Sequence, residues 1–282
     1  MPNPVIFDRR LLRVRRARAA ALGPVTFLLD RVAADFAERL SAVLRKFDIA
    51  ADLGTPTDTV RRAIADQIGT VAAVVADEEA LPFRDASLDL VVSALALQFV
   101  NDLPGTLIQI RRALKPDGLL LAALIGGESL TELRVAFAEA EAEIEGGVSP
   151  RVVPFADLRD LGALLQRAGF ALPVTDVDRV TVRYASPLAL MHDLRRMGAG
   201  NVLTARRRTP LRRSTLLRVL EIYAERFADP DGRIRATFEI VWLSGWAPHE
   251  SQQKPLRPGS AQTRLADALR AQEISAGEKA GR

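Results

Sequence analysis

Residues 49–76 read IAADLGTPTDTVRRAIADQIGTVAAVVA, and their spacing decides the architecture. Residues 49–53 are a short apolar run that ends at Gly54, and residues 71–76 are a second run of valine and alanine. Such runs, bounded by turn signals, read as buried parallel strands. Only sixteen residues, 55–70, lie between Gly54 and Val71. A crossover with its helix takes at least about 10–12 residues, so the interval holds one helix, expected over 57–68, and no further strand. Residues 71–76 should therefore lie directly beside 49–53.

Outward from this stretch the alternation continues. Residues 88–95 and 119–125 are further buried strands, and 103–114 sets Leu107, Ile110 and Leu114 on one helical face. The turn Lys115-Pro116-Asp117-Gly118 stops that helix. On the amino side, residues 24–46 carry Phe27, Leu28, Val32, Phe36, Leu40 and Leu44 at helical spacing. Strand and helix in turn make an α/β fold with a doubly wound, mostly parallel sheet. Ligands of such sheets bind beyond the carboxyl ends of the strands. That crevice would gather Gly54, Asp77, the stretch after Ser93, and Gly126-Gly127.

The carboxyl half reads differently. Ser129 and Glu132 have the spacing of a capping box and would open a helix running to about residue 144. Another helix is expected over 155–167. Residues 174–184 and 235–246 alternate apolar and polar positions, as half-exposed strands pairing at a sheet edge do. Residues 187–228 between them are mostly helical and would cap the crevice as a lid. Three parts are expected: a basic helical segment over 1–46, a main domain over 47–253, and a flexible tail over 254–282 with a short helix at 263–270.

Composition narrows the chemistry. The 282 residues are 48% hydrophobic, ample for a sizeable core, yet no apolar run approaches the roughly 18 residues of a membrane-spanning helix. Cysteine is absent, which excludes disulfides, thiolate metal sites and a cysteine nucleophile. No Gly-x-Ser-x-Gly elbow offers a serine nucleophile. His192 and His249 with a carboxylate have the makings of a two-histidine iron site. Their sequence context lacks metal-ligand spacing, so ordinary structural roles and no metal are expected.

The net charge is +4, and arginine is concentrated at Arg9, Arg10, Arg13, Arg15, Arg16 and Arg18 and again at Arg206, Arg207, Arg208, Arg212 and Arg213. The first cluster reads as a solvated helix with Leu11, Leu12 and Val14 turned inward. Its alternatives are a mitochondrial transit peptide or a helix on anionic lipid or nucleic acid. The second reads as a solvated loop. Aromatic residues are not interleaved with the basic ones, so no nucleic-acid partner is expected.

The run Ala76-Asp-Glu-Glu-Ala-Leu-Pro-Phe83, with Ser87-Leu-Asp-Leu-Val-Val-Ser93 and Leu114-Lys-Pro-Asp-Gly118, resembles class I S-adenosylmethionine (SAM) methyltransferases that esterify a malonyl carrier protein. Val100-Asn-Asp-Leu-Pro104, Glu145-Gly-Gly147, Met197-Gly198 and Gly245-Trp246 resemble more closely the methyltransferase-like assembly factors of respiratory complex I. The resemblance spans roughly residues 70–262. It implies a SAM site, with Asp52 and Gly54 under the methionine and ribose, Asp77 and Glu78 toward the adenine amine, and Ser93, Ala94 and Leu95 walling the methionine side. It also implies a protein client, a respiratory complex I subunit, and either methyl transfer or arginine hydroxylation. The expected compartment is the cytoplasm, peripheral to the inner membrane if complex I is the destination.

The chain departs from this family at the loop Asp52-Leu-Gly54-Thr-Pro56-Thr-Asp58, where Asp-x-Gly-x-Gly-x-Gly is expected. Two glycines are gone, and Pro56 has no amide to donate. The usual second strand, whose terminal acid grips the ribose, is missing as well. Asp77 lies 23 residues past Gly54, near the roughly 20-residue spacing of a ribose-binding acid, and with Glu78 is the candidate to replace that contact. The damaged loop keeps a non-catalytic assembly factor open as the alternative to a methyltransferase.

Overall fold

Strand β1 (Phe47–Leu53) ends at Gly54 and is followed by helix α3 (Thr59–Ile64), a 3-10 turn over Ala65–Gln67, and strand β2 (Ile68–Val74). Helices α1 (Arg9–Ala21) and α2 (Phe27–Ser41) precede β1. This computed structural model describes residues 5–74, 77–155, 157–253, 260, 267, 270 and 271. Strand β2 runs parallel to β1 from Phe47↔Ile68 to Leu53↔Val74. The single short crossover thus sets the two strands side by side, as the residue count requires.

The rest of the sheet follows as β3 (Leu88–Ala94), α4 (Leu103–Ala113), β4 (Leu114–Ile125), α5 (Thr131–Glu145), α6 (Leu158–Arg167), β5 (Ala171–Tyr184), α7 (Pro187–Arg196), α8 (Arg213–Phe227) and β6 (Ile234–Trp246). The six strands are ordered β2-β1-β3-β4-β6-β5. Strands β1 to β4 are parallel, while β6 runs antiparallel to both β4 and the edge strand β5. Side chains alternate across the sheet, so each strand feeds two cores. Leu90, Val92 and Ala94 pack with α2, α5 and α8 on one face. Val91, Leu120 and Ala122 pack with α4 and α6 on the other. The second edge fits its pattern: β5 alternates half-buried and exposed residues along most of its length.

Local chemistry moves several boundaries from their expected places. Helix α3 starts at Thr59 because the Thr57 hydroxyl takes the Thr59 amide, a side-chain bond that competes with helical pairing. Strand β2 begins at Ile68, earlier than residue 71, and residues 75 and 76 of the expected strand lie outside the described residues. Lys115 to Gly118 is a bulge inside β4 rather than a turn between elements. Leu88 faces Leu114 while Leu90 faces Leu119, with Asp117 at a positive φ of 62°.

The capping box is not formed. Ser129 is fully buried and its hydroxyl bridges the backbone of Glu239, while Glu132 binds the amide and hydroxyl of Thr237. Both side chains fasten α5 to β6, and Leu130, in the left-handed region, occupies the cap position instead. Helix α6 begins only at Leu158, capped by the Asp157 carboxylate. The segment expected as a lid is two separate helices. Helix α7 faces the crevice, and α8 packs on α5.

Residues 1–248 form one unit and residues 249–282 a second. In the second, the His249 ring Nδ1 lies 2.7 Å from the Ser251 hydroxyl. The expected helix over 263–270 falls largely outside the described residues. No helix among the described residues is long and apolar enough to cross a membrane.

Candidate functional site

At the carboxyl end of β1, Asp52 points into the protein. Its side chain has no exposure, one oxygen accepts the Thr55 hydroxyl, and the other lies 3.4 Å from the Arg61 guanidinium. Burial pushes its pKa up to about 6, with Thr55 and Arg61 pulling the other way. Thr55 also accepts the Ala94 amide, 3.1 Å away, and so stitches the loop to β3. Ser93 is equally occupied: its buried hydroxyl donates to the Leu53 carbonyl at 2.8 Å. Leu95 adopts a positive φ of 53° and turns the chain away from the sheet.

The acidic pair lies where the strand adjacency puts it. Glu78 packs on Gly54, whose φ is +70° and where any Cβ would stand 2.5 Å from the Glu78 carboxylate. Neither carboxylate is free. Arg9 of α1 binds both Asp77 and Glu78, Arg16 approaches Glu78 at 3.5 Å and the Gly54 carbonyl at 3.5 Å, and Arg13 stands 3.9 Å from Asp77. Burial acts to raise the Asp77 pKa, but the Glu79 amide, Arg9 and Arg13 outweigh it and hold the group below its ordinary value.

Helix α1 can do this because Arg9, Leu12, Arg16 and Ala19 recur at intervals of three and four and share one face. That face, with Leu12 and Ala19 buried, is the inward one. Val14, expected inside, is 50% exposed. The solvated-face reading is therefore corrected for Arg9 and Arg16, whose partners lie more than sixty residues away in sequence. Gly198, at φ +72°, lets the helix seat: a Cβ there would stand 3.2 Å from Arg16 Cγ and 3.3 Å from its Cα.

Beside the sealed corner, a cavity of about 780 Å³ opens between α1, α7 and the carboxyl ends of β1, β3 and β4. Of the seven residues nominated from sequence, only Leu95 lines it. Asp52, Gly54, Asp77, Glu78, Ser93 and Ala94 form the packed wall and the ion-paired corner beside it. The lining includes Pro56, Thr57, Gln98 and six arginines, and among the described residues neither aspartate nor glutamate contributes to it. His192 is exposed on α7. Among the described residues no group of three or more histidine, aspartate and glutamate side chains could hold a metal ion.

These residues do not fit SAM in the arrangement seen. The cofactor carries a sulfonium and an ammonium against one carboxylate and needs an acceptor for its adenine amine. The acids that could supply acceptors are held by arginine, and the Asp52 carboxylate faces Thr55 and Arg61. Pro56 stands where a glycine amide would approach the ligand.

Comparison with known proteins agrees with the α/β fold. Residues 32–122 match the family model described as a methyltransferase domain. The arginine-hydroxylase NDUFAF5, mitochondrial, of Danio rerio is 38% identical over 286 residues, covering 93% of this chain and 89% of that protein. Its Homo sapiens counterpart is 40% identical over 281 residues, covering 91% and 81%. The chain belongs to the NDUFAF5 family. The malonyl-[acyl-carrier protein] O-methyltransferase of Halorhodospira halophila is 42% identical to this chain over 173 residues, 61% of the chain and 57% of that protein. Among solved structures, a putative methyltransferase from Bacillus halodurans superposes with a TM-score of 0.51 at 15% identity, covering 77% of this chain and 99% of that one. At that identity the likeness establishes the class I methyltransferase fold alone.

Proposed function

We propose that this NDUFAF5-family protein is an assembly factor that binds a protein client, a respiratory complex I subunit, and that its methyltransferase fold serves as a scaffold without turning over SAM. One observation carries the reading: Arg9 and Arg16 occupy the acidic pair that would otherwise face the cofactor. A client role draws support from the relatives, which are named mitochondrial arginine hydroxylases. The work would be done beside the membrane in which the complex is built.

Thermal unfolding with and without SAM and its demethylated product tests this. A functional site gains about 2.7 kcal/mol at a hundred times its dissociation constant. We expect no rise in melting temperature at millimolar ligand. A clear rise that Asp77→Ala abolishes would overturn the reading and restore a methyltransferase.

The same pair favours a second reading, arginine hydroxylation. Asp77 and Glu78 already hold a guanidinium within the crevice, so a client arginine is the group that would replace Arg9 when α1 moves aside. Hydroxylation inserts one oxygen atom into a C–H bond. It needs dioxygen as oxidant, and two electrons from a reductant with two protons from solvent to take the second oxygen to water. Mass spectrometry of a client incubated with the protein, dioxygen and a reductant should then show one added oxygen on arginine, lost with Glu78→Gln. An unchanged client mass leaves the scaffold reading standing.

A further inference from the structure

The cavity beneath α1 and α7 has a composition that neither SAM nor a client arginine explains. Arg15, Arg16 and Arg18 reach it from α1, Arg195 and Arg196 from α7, and Arg151 from the segment before α6. Three of the six have partners: Arg16 weakly with Glu78, Arg151 with Glu141, and Arg196 with the Gly23 carbonyl at 2.8 Å. The guanidinium groups of Arg15, Arg18 and Arg195 make no ion pair or hydrogen bond among the described residues. Two further polar atoms, Arg16 Nη2 and Gln98 Oε1, are buried without a partner. Burial and the neighbouring charge of Arg9 pull the Arg16 pKa down to about 10, and burial with Arg206 and Arg18 lowers that of Arg15. Arg15 and Arg16 are half-buried while Arg18 and Arg195 are exposed, and cations gathered around one concave space attract an anion.

The cavity is also lined by apolar side chains. Leu28 and Leu29 of α2, Leu133 of α5, and Met191 and Leu194 of α7 line it, with Phe238 from β6. Leucine and methionine side chains adapt to a flexible chain more readily than to a flat ring. The volume of about 780 Å³ lies within the roughly 300–1,000 Å³ of small-molecule sites.

We propose that this cavity binds a single-chain anionic amphiphile, its carboxylate or phosphate held by Arg15, Arg18 and Arg195 and its aliphatic chain laid along Leu29, Leu133 and Met191. The ligand carries negative charge at one end and none along its length, the inverse of SAM, whose charged centre is cationic. The proposal requires neither SAM binding nor a client, so it stands or falls apart from the function proposed above.

Isothermal titration of the full chain with decanoate and decyl phosphate, both below their micellar range, tests it against decanol, acetate and inorganic phosphate. The two amphiphiles should bind with one site per chain. Decanol, which lacks the anion, should bind at least about tenfold more weakly, the factor expected for losing one charge-assisted hydrogen bond. Acetate and phosphate, which lack the chain, should bind more weakly still, since each buried methylene contributes about fourfold in affinity. Arg15→Ala and Arg195→Ala should each weaken decanoate by about tenfold. Met191→Trp, which fills the tail region, should abolish binding while the melting temperature stays unchanged. Equal binding of decanol and decanoate would overturn the proposal, as would equal binding of phosphate and decyl phosphate. So would the absence of heat with either amphiphile, or binding only to anionic vesicles.

Discussion

Helix α1 presents arginines to two regions of the same crevice, and the two have opposite fates. At the corner over Gly54, Arg9 and Arg16 meet Asp77 and Glu78, and the space closes. Beside it, Arg15 and Arg18 form no ion pair among the described residues, and a cavity of about 780 Å³ stays open. The helix, the residue type and the sheet edge are shared. What differs is whether the facing wall carries an acid, which decides whether a cation becomes part of the packing or part of a binding surface.

The largest effect should come from breaking the closed corner. Glu78→Ala leaves two guanidinium groups facing an apolar gap, with Asp77 the only remaining acid. Removing one partner of a buried ion pair costs about 3–5 kcal/mol, and urea unfolding should show a loss of that order. A loss below about 1 kcal/mol, the range of exposed pairs, would mean the corner is solvated and the contrast with the cavity is false.

A smaller, pH-dependent effect belongs to Asp52, just beneath that corner. Its folded pKa of about 6 lies above the ordinary carboxylate value of 3.8. Between those values the native state binds more protons than the unfolded chain, so this group's contribution to stability falls as pH rises through about 6 and recovers toward pH 4. Asp52→Asn should therefore unfold at higher urea than the parent at pH 7, by on the order of 2 kcal/mol, with the gap closing toward pH 4. A constant gap across that range would locate the effect elsewhere.

The smallest effect is expected on the open side. Arg15 has no ionic partner among the described residues and lies near Arg18 and Arg206, whose charges lower its pKa together with burial. Arg15→Ala should change stability by no more than about 0.5 kcal/mol in either direction. A loss comparable to that of Glu78→Ala would show that both regions are structural.

The adjacency of β1 and β2 was legible in the sequence because it rests on counting. Sixteen residues between Gly54 and Val71 admit one helix, and the neighbouring strands follow from that alone. The pairing of β5 with β6 was legible from alternation for the same local reason. The corner was not. Asp77 and Glu78 stand out as candidate site residues, but their partners lie on α1, and no local pattern links the two segments. The spacing of Arg9, Leu12, Arg16 and Ala19 held the available signal: arginines placed in line with the buried leucine cannot all face solvent. Ser129 and Glu132 show the converse, a sound local motif set aside because a tertiary contact with β6 uses both side chains.

The pruned crossover also bears on how the chain folds. Ile49 pairs with Thr70, 21 residues away, whereas Leu119 must find Trp246, 127 residues away. Closing the longer loop costs roughly 1.5 kcal/mol more in chain entropy than closing the shorter one. With no strand intervening, β1 and β2 can zip soon after α3 forms and offer β3 a ready edge, while β6 waits for nearly the whole polypeptide. Losing a strand has thus left the sheet a local place to begin.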